Sequence, residues 1–227
     1  MNEPTGAFEA PGGRTLVVAC GALARELLQV VEANGLTHVD VECLPASYHN
    51  TPDVIPQAVA TRVRAAADHY QRIFVGYGDC GTGGRLDAVC DELGVDRLPG
   101  DHCYEFLAGS SAFADLHAEE LGTFFLTDYL AKHFDRLVVK AFWLDTHPEM
   151  RESLFGNYRR LAYLSQVDDP DLVDRARAAA DRLGLAFEHR PTGLANLETH
   201  VLAGTSLAGT SVAISEPTPS PLSSGAH

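Results

Sequence analysis

The chain has 227 residues, of which 45% are hydrophobic and 21% are charged, proportions that are ordinary for a globular protein with a buried core. Aspartate and glutamate outnumber lysine and arginine by 31 to 17, so the formal net charge is −14. This balance argues against nucleic acid and anionic membrane surfaces as partners, because both are bound through basic side chains. No apolar run approaches the roughly 20 residues of a membrane span, and the N-terminus lacks a secretory signal pattern. The sequence therefore predicts a cytoplasmic protein without a membrane partner.

The first half of the chain alternates short apolar runs with amphipathic segments. The apolar runs predict strands at 14–20, 38–44, 72–78 and 95–99. Helices are predicted between and after them, at 21–35, from Asp53 to Tyr70, at 81–94 and from 101 to 109. Strand, glycine-bearing turn and helix repeated at this spacing indicate a parallel sheet.

The second half of the chain is predicted to be more helical. Its helices are expected at 127–135, 147–166 and 169–184, and its strands at 136–142 and 185–191. The fold class is therefore α/β, a Rossmann-like parallel sheet with helices on both faces. We expect a flexible lead-in at 1–13, a single α/β domain at 14–203, and a disordered Ser/Thr/Gly/Pro-rich tail at 204–227.

Three of the five cysteines occupy comparable places in this pattern. Cys20 ends the first predicted strand, Cys80 follows the third, and Cys103 follows the fourth. Because the carboxyl ends of parallel strands meet at one edge of a sheet, these residues are expected to converge there. Cys20 and Cys80 also precede helix starts, where the helix dipole favours a thiolate. Cys43 and Cys90 are assigned to packing.

Three converging thiolates suit a metal centre. They match tetrahedral zinc with a water or a histidine as the fourth ligand. They match equally well an iron–sulfur cluster in which one iron has no cysteine ligand. His49, in the loop after the second strand, is the first candidate for the fourth ligand or for an acid–base group. A packing role remains the alternative for any one cysteine, since cysteine is among the most buried residue types.

The glycine-rich stretch GYGDCGTGG, residues 76–84, surrounds Cys80. It matches G-x-G-x-x-G, but on the third strand, where a dinucleotide fingerprint is not usual. We favour glycines that let a ligand of Cys80 approach the backbone. The amides of Gly81, Thr82, Gly83 and Gly84 and the side chain of Arg85 are then expected to receive the anionic end of a small substrate.

Two other functions remain open from the residues alone. A metal-free hydrolase or transferase would use Cys80 as nucleophile, His49 as base and an orienting Asp79 or Asp101. A non-catalytic protein would bind a metabolite or a partner enzyme through the same loop. The cysteine-nucleophile alternative does not explain why Cys20 and Cys103 repeat the placement of Cys80.

The segments ACGALARELL, HNTPDVIP, YGDCG, DHCYEFLAG and GTFFLTDYL resemble a bacterial and archaeal family known as domain of unknown function 1638. The resemblance covers about residues 14–202 and has no established activity to carry over. It implies a soluble α/β protein, often encoded beside corrinoid-dependent methyltransferases that act on methylated amines or related one-carbon donors. A metal centre, a place in one-carbon metabolism and corrinoid methyltransferase partners are what this resemblance implies. The chain has no cobalamin-binding D-x-H-x-x-G pattern, so it is not expected to bind corrinoid itself.

Overall fold

A computed structural model describes residues 13–207, which form two parallel β-sheets flanked by helices. The first sheet has the order β2-β1-β3-β4, with β1 at Thr15–Cys20, β2 at Val39–Leu44, β3 at Arg72–Gly76 and β4 at Asp96–Arg97. The second has the order β5-β6-β7, with β5 at Thr123–Leu126, β6 at Arg160–Ser165 and β7 at Ala186–Pro191. The predicted α/β class with parallel strands is confirmed, but the strands divide between two sheets.

The described residues contain helices of several lengths between these strands. The α-helices are α1 (Ala24–Ala33), α2 (Ile55–Ala66), α3 (Arg85–Leu93), α4 (Cys103–Ala108), α5 (Ser110–Glu119), α6 (Asp128–Lys132), α7 (Met150–Phe155), α8 (Pro170–Leu183) and α9 (Ala195–Thr205). Short 3-10 helices occupy Gly21–Leu23, Ala46–Asn50 and Pro52–Val54, and one π-helix occupies Asp135–Val139. No helix within residues 13–207 is long and apolar enough to cross a membrane.

The first sheet is organised around β1, whose six residues are all buried. A strand that lies between two parallel neighbours and is covered on both faces is expected to be a nearly continuous apolar run, as TLVVAC is after its first residue. The buried hydroxyl of Thr15 donates to the carbonyl oxygen of Thr205 (3.2 Å). In the helices that cover this sheet, α1 packs against α9, and α2 packs against α3. The strands of this sheet end together, so the residues that follow β1, β2, β3 and β4 meet at one edge.

Helix α4 joins the two halves of the protein. Phe106 and Leu107 are buried in the core of the first sheet. On the other side, the ring of Tyr104 lies 5.4 Å from the ring of Phe125 in β5. Cys103 opens this helix, so its position is set by packing against both sheets.

The predicted strand at 136–142 is wrong. Asp135–Val139 is a π-helix that buries Val138 and Val139 in the core of the second sheet. A short apolar run serves a buried helix as well as a buried strand, and periodicity alone does not separate them.

The same ambiguity affects the predicted helix at 147–166 and the segment at 123–126. The helix extends only from Met150 to Phe155, and the apolar run Arg160–Ser165 is the central strand of the second sheet. Thr123–Leu126, which the sequence analysis did not predict as a strand, pairs with it as β5.

Helices α5 and α9 were not predicted either, and α9 includes residues 204 and 205 of the expected tail. Residues 1–12 and 208–227 lie outside the described part of the chain.

Candidate functional site

The carboxyl edge of the first sheet carries a small cavity of about 20 Å³. Cys20, Cys80 and Cys103 all line it, together with His49 and Tyr77. The structure therefore brings together the three cysteines and the histidine that the sequence analysis singled out. Each comes from a different connection: the end of β1, the loop after β3, the start of α4, and the 3-10 helix after β2.

The cavity has room for one water-sized group, since a single water needs about 10–15 Å³. Its walls are enclosed: Cys20 is 3% exposed, Cys80 8% and Tyr77 fully buried. The lining residues include no lysine or arginine. As it stands, the site accommodates an ion or one small group and has no room for a substrate the size of a metabolite.

His49 is placed beside Cys20. Its Nδ1 atom lies 3.7 Å from the Cys20 sulfur and 3.2 Å from the carbonyl oxygen of Ala46. Burial lowers the pKa of His49, so the imidazole is neutral at pH 7. A neutral imidazole keeps a basic nitrogen, which is the form that binds metals.

The thiols are protonated at neutral pH. Burial raises the pKa of Cys20 to about 12 despite a hydrogen bond from the Ala22 amide to its sulfur, 3.3 Å long. Burial likewise raises the pKa of Cys80 to about 11 and that of Cys103 well above its ordinary value. The expectation that helix starts lower these pKa values is wrong, because burial outweighs the helix dipole here.

Tyr77 is a site residue that the sequence analysis missed. Its hydroxyl oxygen is buried and has no hydrogen-bond partner within residues 13–207. It lies near enough to Cys20 to influence the pKa of that thiol without reaching hydrogen-bond geometry. Burial is the main cause of the raised pKa of Tyr77 itself, so the phenol stays protonated and able to donate. The sequence did contain a signal for Tyr77. It directly follows β3, and a position at the end of a strand is the reason that Cys20 was selected.

Cys80 has an unusual backbone conformation. Its φ angle is +51°, in the left-handed region that non-glycine residues enter at a cost of roughly 1–3 kcal/mol. The chain is held there by two backbone hydrogen bonds, from the Asp79 amide to the Gly100 carbonyl (3.0 Å) and from the Cys80 amide to the Asp101 carbonyl (2.8 Å). These bonds tie the loop after β3 to the segment that leads into α4, and so place Cys80 beside Cys103.

The amides of the glycine loop already have an acceptor. The carboxylate of Asp79 receives hydrogen bonds from the Gly83 amide (2.9 Å), the Gly84 amide (2.8 Å) and the Thr82 hydroxyl. Although burial opposes it, these donors lower the pKa of Asp79. These hydrogen bonds to Asp79 shape the turn that leads from Cys80 into α3. An anionic substrate would have to displace the Asp79 carboxylate before it could bind the same amides.

The other loop residues lie outside the cavity wall. Arg85 forms an ion pair with Asp53 (2.5 Å) and donates to the Thr82 carbonyl (2.7 Å). Gly81 lies against Pro52. Arg85 and Gly81–Gly84 therefore lie behind the residues that line the cavity, and none of them contributes to the lining.

The remaining cysteines do not take part. Cys90 is buried in the core of the first sheet, as predicted for a packing residue. Cys43, also assigned to packing, is exposed near the end of β2.

No group of three or more His, Cys, Asp or Glu side chains in residues 13–207 is arranged to hold a metal ion as it stands. The cysteines and His49 share a cavity, but a metal would have to draw them closer together.

Comparison with known proteins gives one match. The profile of a family described as "Protein of unknown function (DUF1638)" matches residues 43–201. This span includes His49, Cys80 and Cys103 and excludes Cys20. No match was found among curated proteins or among solved structures.

Proposed function

This chain belongs to the family of proteins of unknown function DUF1638, and we propose that it binds zinc or an iron–sulfur cluster through Cys20, Cys80 and Cys103. His49 is proposed as the fourth ligand. One observation carries the proposal: three sulfur atoms and an imidazole, from four separate connections, line one cavity the size of an ion.

The electrostatics of the cavity suit a cation. Desolvation holds the three thiols protonated; Cys20 and Cys80 are buried, Cys103 is partly buried, and the lining contains no lysine or arginine. A divalent metal replaces those protons and supplies the positive charge that a buried thiolate needs, which is why metal binding lowers cysteine pKa values. The neutral His49 needs no deprotonation to join them.

The sulfur of Cys20 and the imidazole of His49 have a separation that suits two ligands of one zinc ion. Zinc–sulfur and zinc–nitrogen bonds of about 2.3 and 2.0–2.1 Å at a tetrahedral angle place the two ligand atoms about 3.6 Å apart. The Cys20 sulfur and His49 Nδ1 are 3.7 Å apart. Metal binding through Nδ1 requires the tautomer with its proton on Nε2, so the hydrogen bond from Nδ1 to the Ala46 carbonyl would be lost. On this proposal Cys80 and Cys103 move toward that pair when the metal enters.

With Cys20, Cys80, Cys103 and His49 all bound, zinc would have a complete tetrahedral shell. With His49 released to serve as an acid–base group, the fourth position would be open, and the metal would act there as a Lewis acid or activate a thiol or a water. The Tyr77 hydroxyl is available to donate a hydrogen bond to the group at that position. A small anionic substrate stays a prediction that depends on the glycine-loop amides and Arg85. Corrinoid methyltransferase partners and a role in one-carbon metabolism stay predictions that depend on the family resemblance.

A metal-free cysteine enzyme is the second candidate, because a thiol and an imidazole do lie side by side. The contact joins His49 to Cys20, whereas the sequence analysis paired His49 with Cys80. A pKa of about 12 for Cys20 opposes this function, since the thiolate is the nucleophile.

The deciding experiment is metal analysis, with a visible spectrum, on protein purified without oxygen or chelator. Stoichiometric zinc in a colourless sample, or iron and sulfide in a brown one, is the expected result and distinguishes the two metals. Cys20→Ser and Cys103→Ser should each lose the metal, while Cys43→Ser, an exposed cysteine outside the cavity, should keep it. No metal in the wild type would overturn the proposal, and selective alkylation of Cys20 in that protein would favour the thiol enzyme instead.

A further inference from the structure

A larger cleft lies beside the second sheet, between α6 with its following turn and α8. Its volume is about 290 Å³, near the lower end of the range for small-molecule sites. Its polar wall consists of Lys132, Arg175, Arg182 and Asp135. The apolar part of the wall contains Phe134 and three alanines, at positions 131, 178 and 179. None of these residues belongs to the cysteine site.

The three cations of this cleft have no partner among the described side chains. Within residues 13–207, none of the three forms an ion pair or a side-chain hydrogen bond. Elsewhere in the described chain, ion pairs with carboxylates are formed by Arg14, Arg62, Arg64, Arg72, Arg85, Arg97, Arg160 and Arg190. Three cations without a carboxylate partner among the described residues thus line one cleft of a chain whose net charge is −14.

The placement of these cations follows from the helices. Arg175 and Arg182 are seven residues apart on α8, two turns along the same face, with Ala178 and Ala179 between them. Lys132 is the last residue of the facing helix α6. The small alanines leave the space open, and the cations approach it from both sides.

We propose that this cleft binds a small phosphate-bearing anion. Guanidinium groups match phosphate oxygens in a two-point geometry, and a phosphate carries enough charge to satisfy more than one cation. In this assignment Arg175, Arg182 and Lys132 contact the phosphate, and Phe134 with the alanines contacts the organic part. The single carboxylate, Asp135, is outnumbered by three cations at this wall.

The test is a calorimetric titration of the full-length protein with pyrophosphate at low and at high salt. We expect saturable binding that weakens with salt, and a loss of more than about tenfold in affinity in Arg175→Glu/Arg182→Glu. Ala178→Phe fills the cleft without changing the charge and should also abolish binding. Arg62→Glu/Arg64→Glu, the same change in net charge on helix α2 of the other sheet, should leave affinity unchanged.

Three results would overturn the proposal. One is the absence of pyrophosphate binding at millimolar concentration in correctly folded wild-type protein. Another is an equal loss in the Arg62/Arg64 control, which would show a non-specific effect of net charge. The third is binding of citrate with no binding of pyrophosphate, since that would assign the cleft to carboxylates. Because the cleft is independent of the cysteines, metal-free protein should bind pyrophosphate as well as the metal-loaded form.

Discussion

The sulfur of Cys20 lies 3.7 Å from Nδ1 of His49, although the two residues are 29 positions apart in the chain. The contact exists because β1 and β2 are adjacent parallel strands that end in register, with Cys20 opposite Leu44. The first turn after β2 then brings His49 back over the end of β1. This pair is the point from which the proposed metal site is built.

Replacing His49 with alanine should weaken metal binding without abolishing it. Three thiolates remain, so we expect a loss of about ten- to a hundredfold in zinc affinity, or about 1.4–2.8 kcal/mol. Competition with a chromophoric chelator measures the zinc affinity of the variant and of the wild type. The matched control is His69→Ala, an exposed histidine after α2 that should bind as the wild type does. Equal affinity in the His49 and His69 variants would remove His49 from the ligand set.

Metal affinity should increase steeply between pH 6 and 8. Burial holds the pKa of Cys20 at about 12 and that of Cys80 at about 11, so both thiols are protonated in the metal-free protein throughout this range. Each proton that a ligand releases on binding contributes about a tenfold gain in apparent affinity per pH unit. We expect a slope of about two to three in log affinity, measured by chelator competition at several pH values. A slope near zero would mean that no thiol proton leaves on binding.

Tyr77→Phe should have opposite effects on stability and on ligand binding. The buried hydroxyl has no partner in the metal-free protein, so its removal should raise the free energy of unfolding by about 1 kcal/mol. If the hydroxyl donates to a group held in the cavity, the same change should weaken metal binding. Urea unfolding of the metal-free protein and metal titration separate the two effects. A large loss of stability would show that the hydroxyl has an essential partner.

Asp79→Ala should destabilise the protein by about 1–3 kcal/mol, because it leaves the Gly83 and Gly84 amides and the Thr82 hydroxyl without their acceptor. The pKa of Asp79 is lowered in the folded state. Its contribution is therefore complete above the ordinary aspartate pKa and is lost as pH falls through the lower, folded value. Urea unfolding of the wild type and the variant at pH 7 and at pH 3.5 measures how much Asp79 contributes to the free energy of unfolding at each pH. Asp91→Ala, an exposed aspartate on α3, is the control.

Gly204→Ala should destabilise the packing of α9 on the first sheet. A Cβ atom at this position would lie 2.4–2.6 Å from atoms of the Phe74 ring, too close for either group to remain in place. We expect a loss of about 1–3 kcal/mol in the free energy of unfolding, as for other overpacked cores. Gly94→Ala is not a suitable control, because that glycine has a positive φ angle. Ala203→Gly, at a neighbouring position of the same helix, is preferable and should cost only about 1 kcal/mol.

The sequence by itself determined the parallel α/β class and the gathering of Cys20, Cys80, Cys103 and His49 at one sheet edge. Both follow from local rules, since apolar runs with glycine turns specify strands and parallel strands end together. The second sheet was harder to predict, because the runs at 136–142 and 160–165 suit a buried helix and a buried strand equally.

Only the tertiary structure decided the chemistry of the site. It raised the thiol pKa values through burial, placed His49 beside Cys20 instead of Cys80, and assigned the loop amides to Asp79. It also left the Tyr77 hydroxyl without a partner and gathered Lys132, Arg175 and Arg182 around one cleft. Burial and the choice of partner depend on elements that are distant in the chain. No local pattern of residues contains that information.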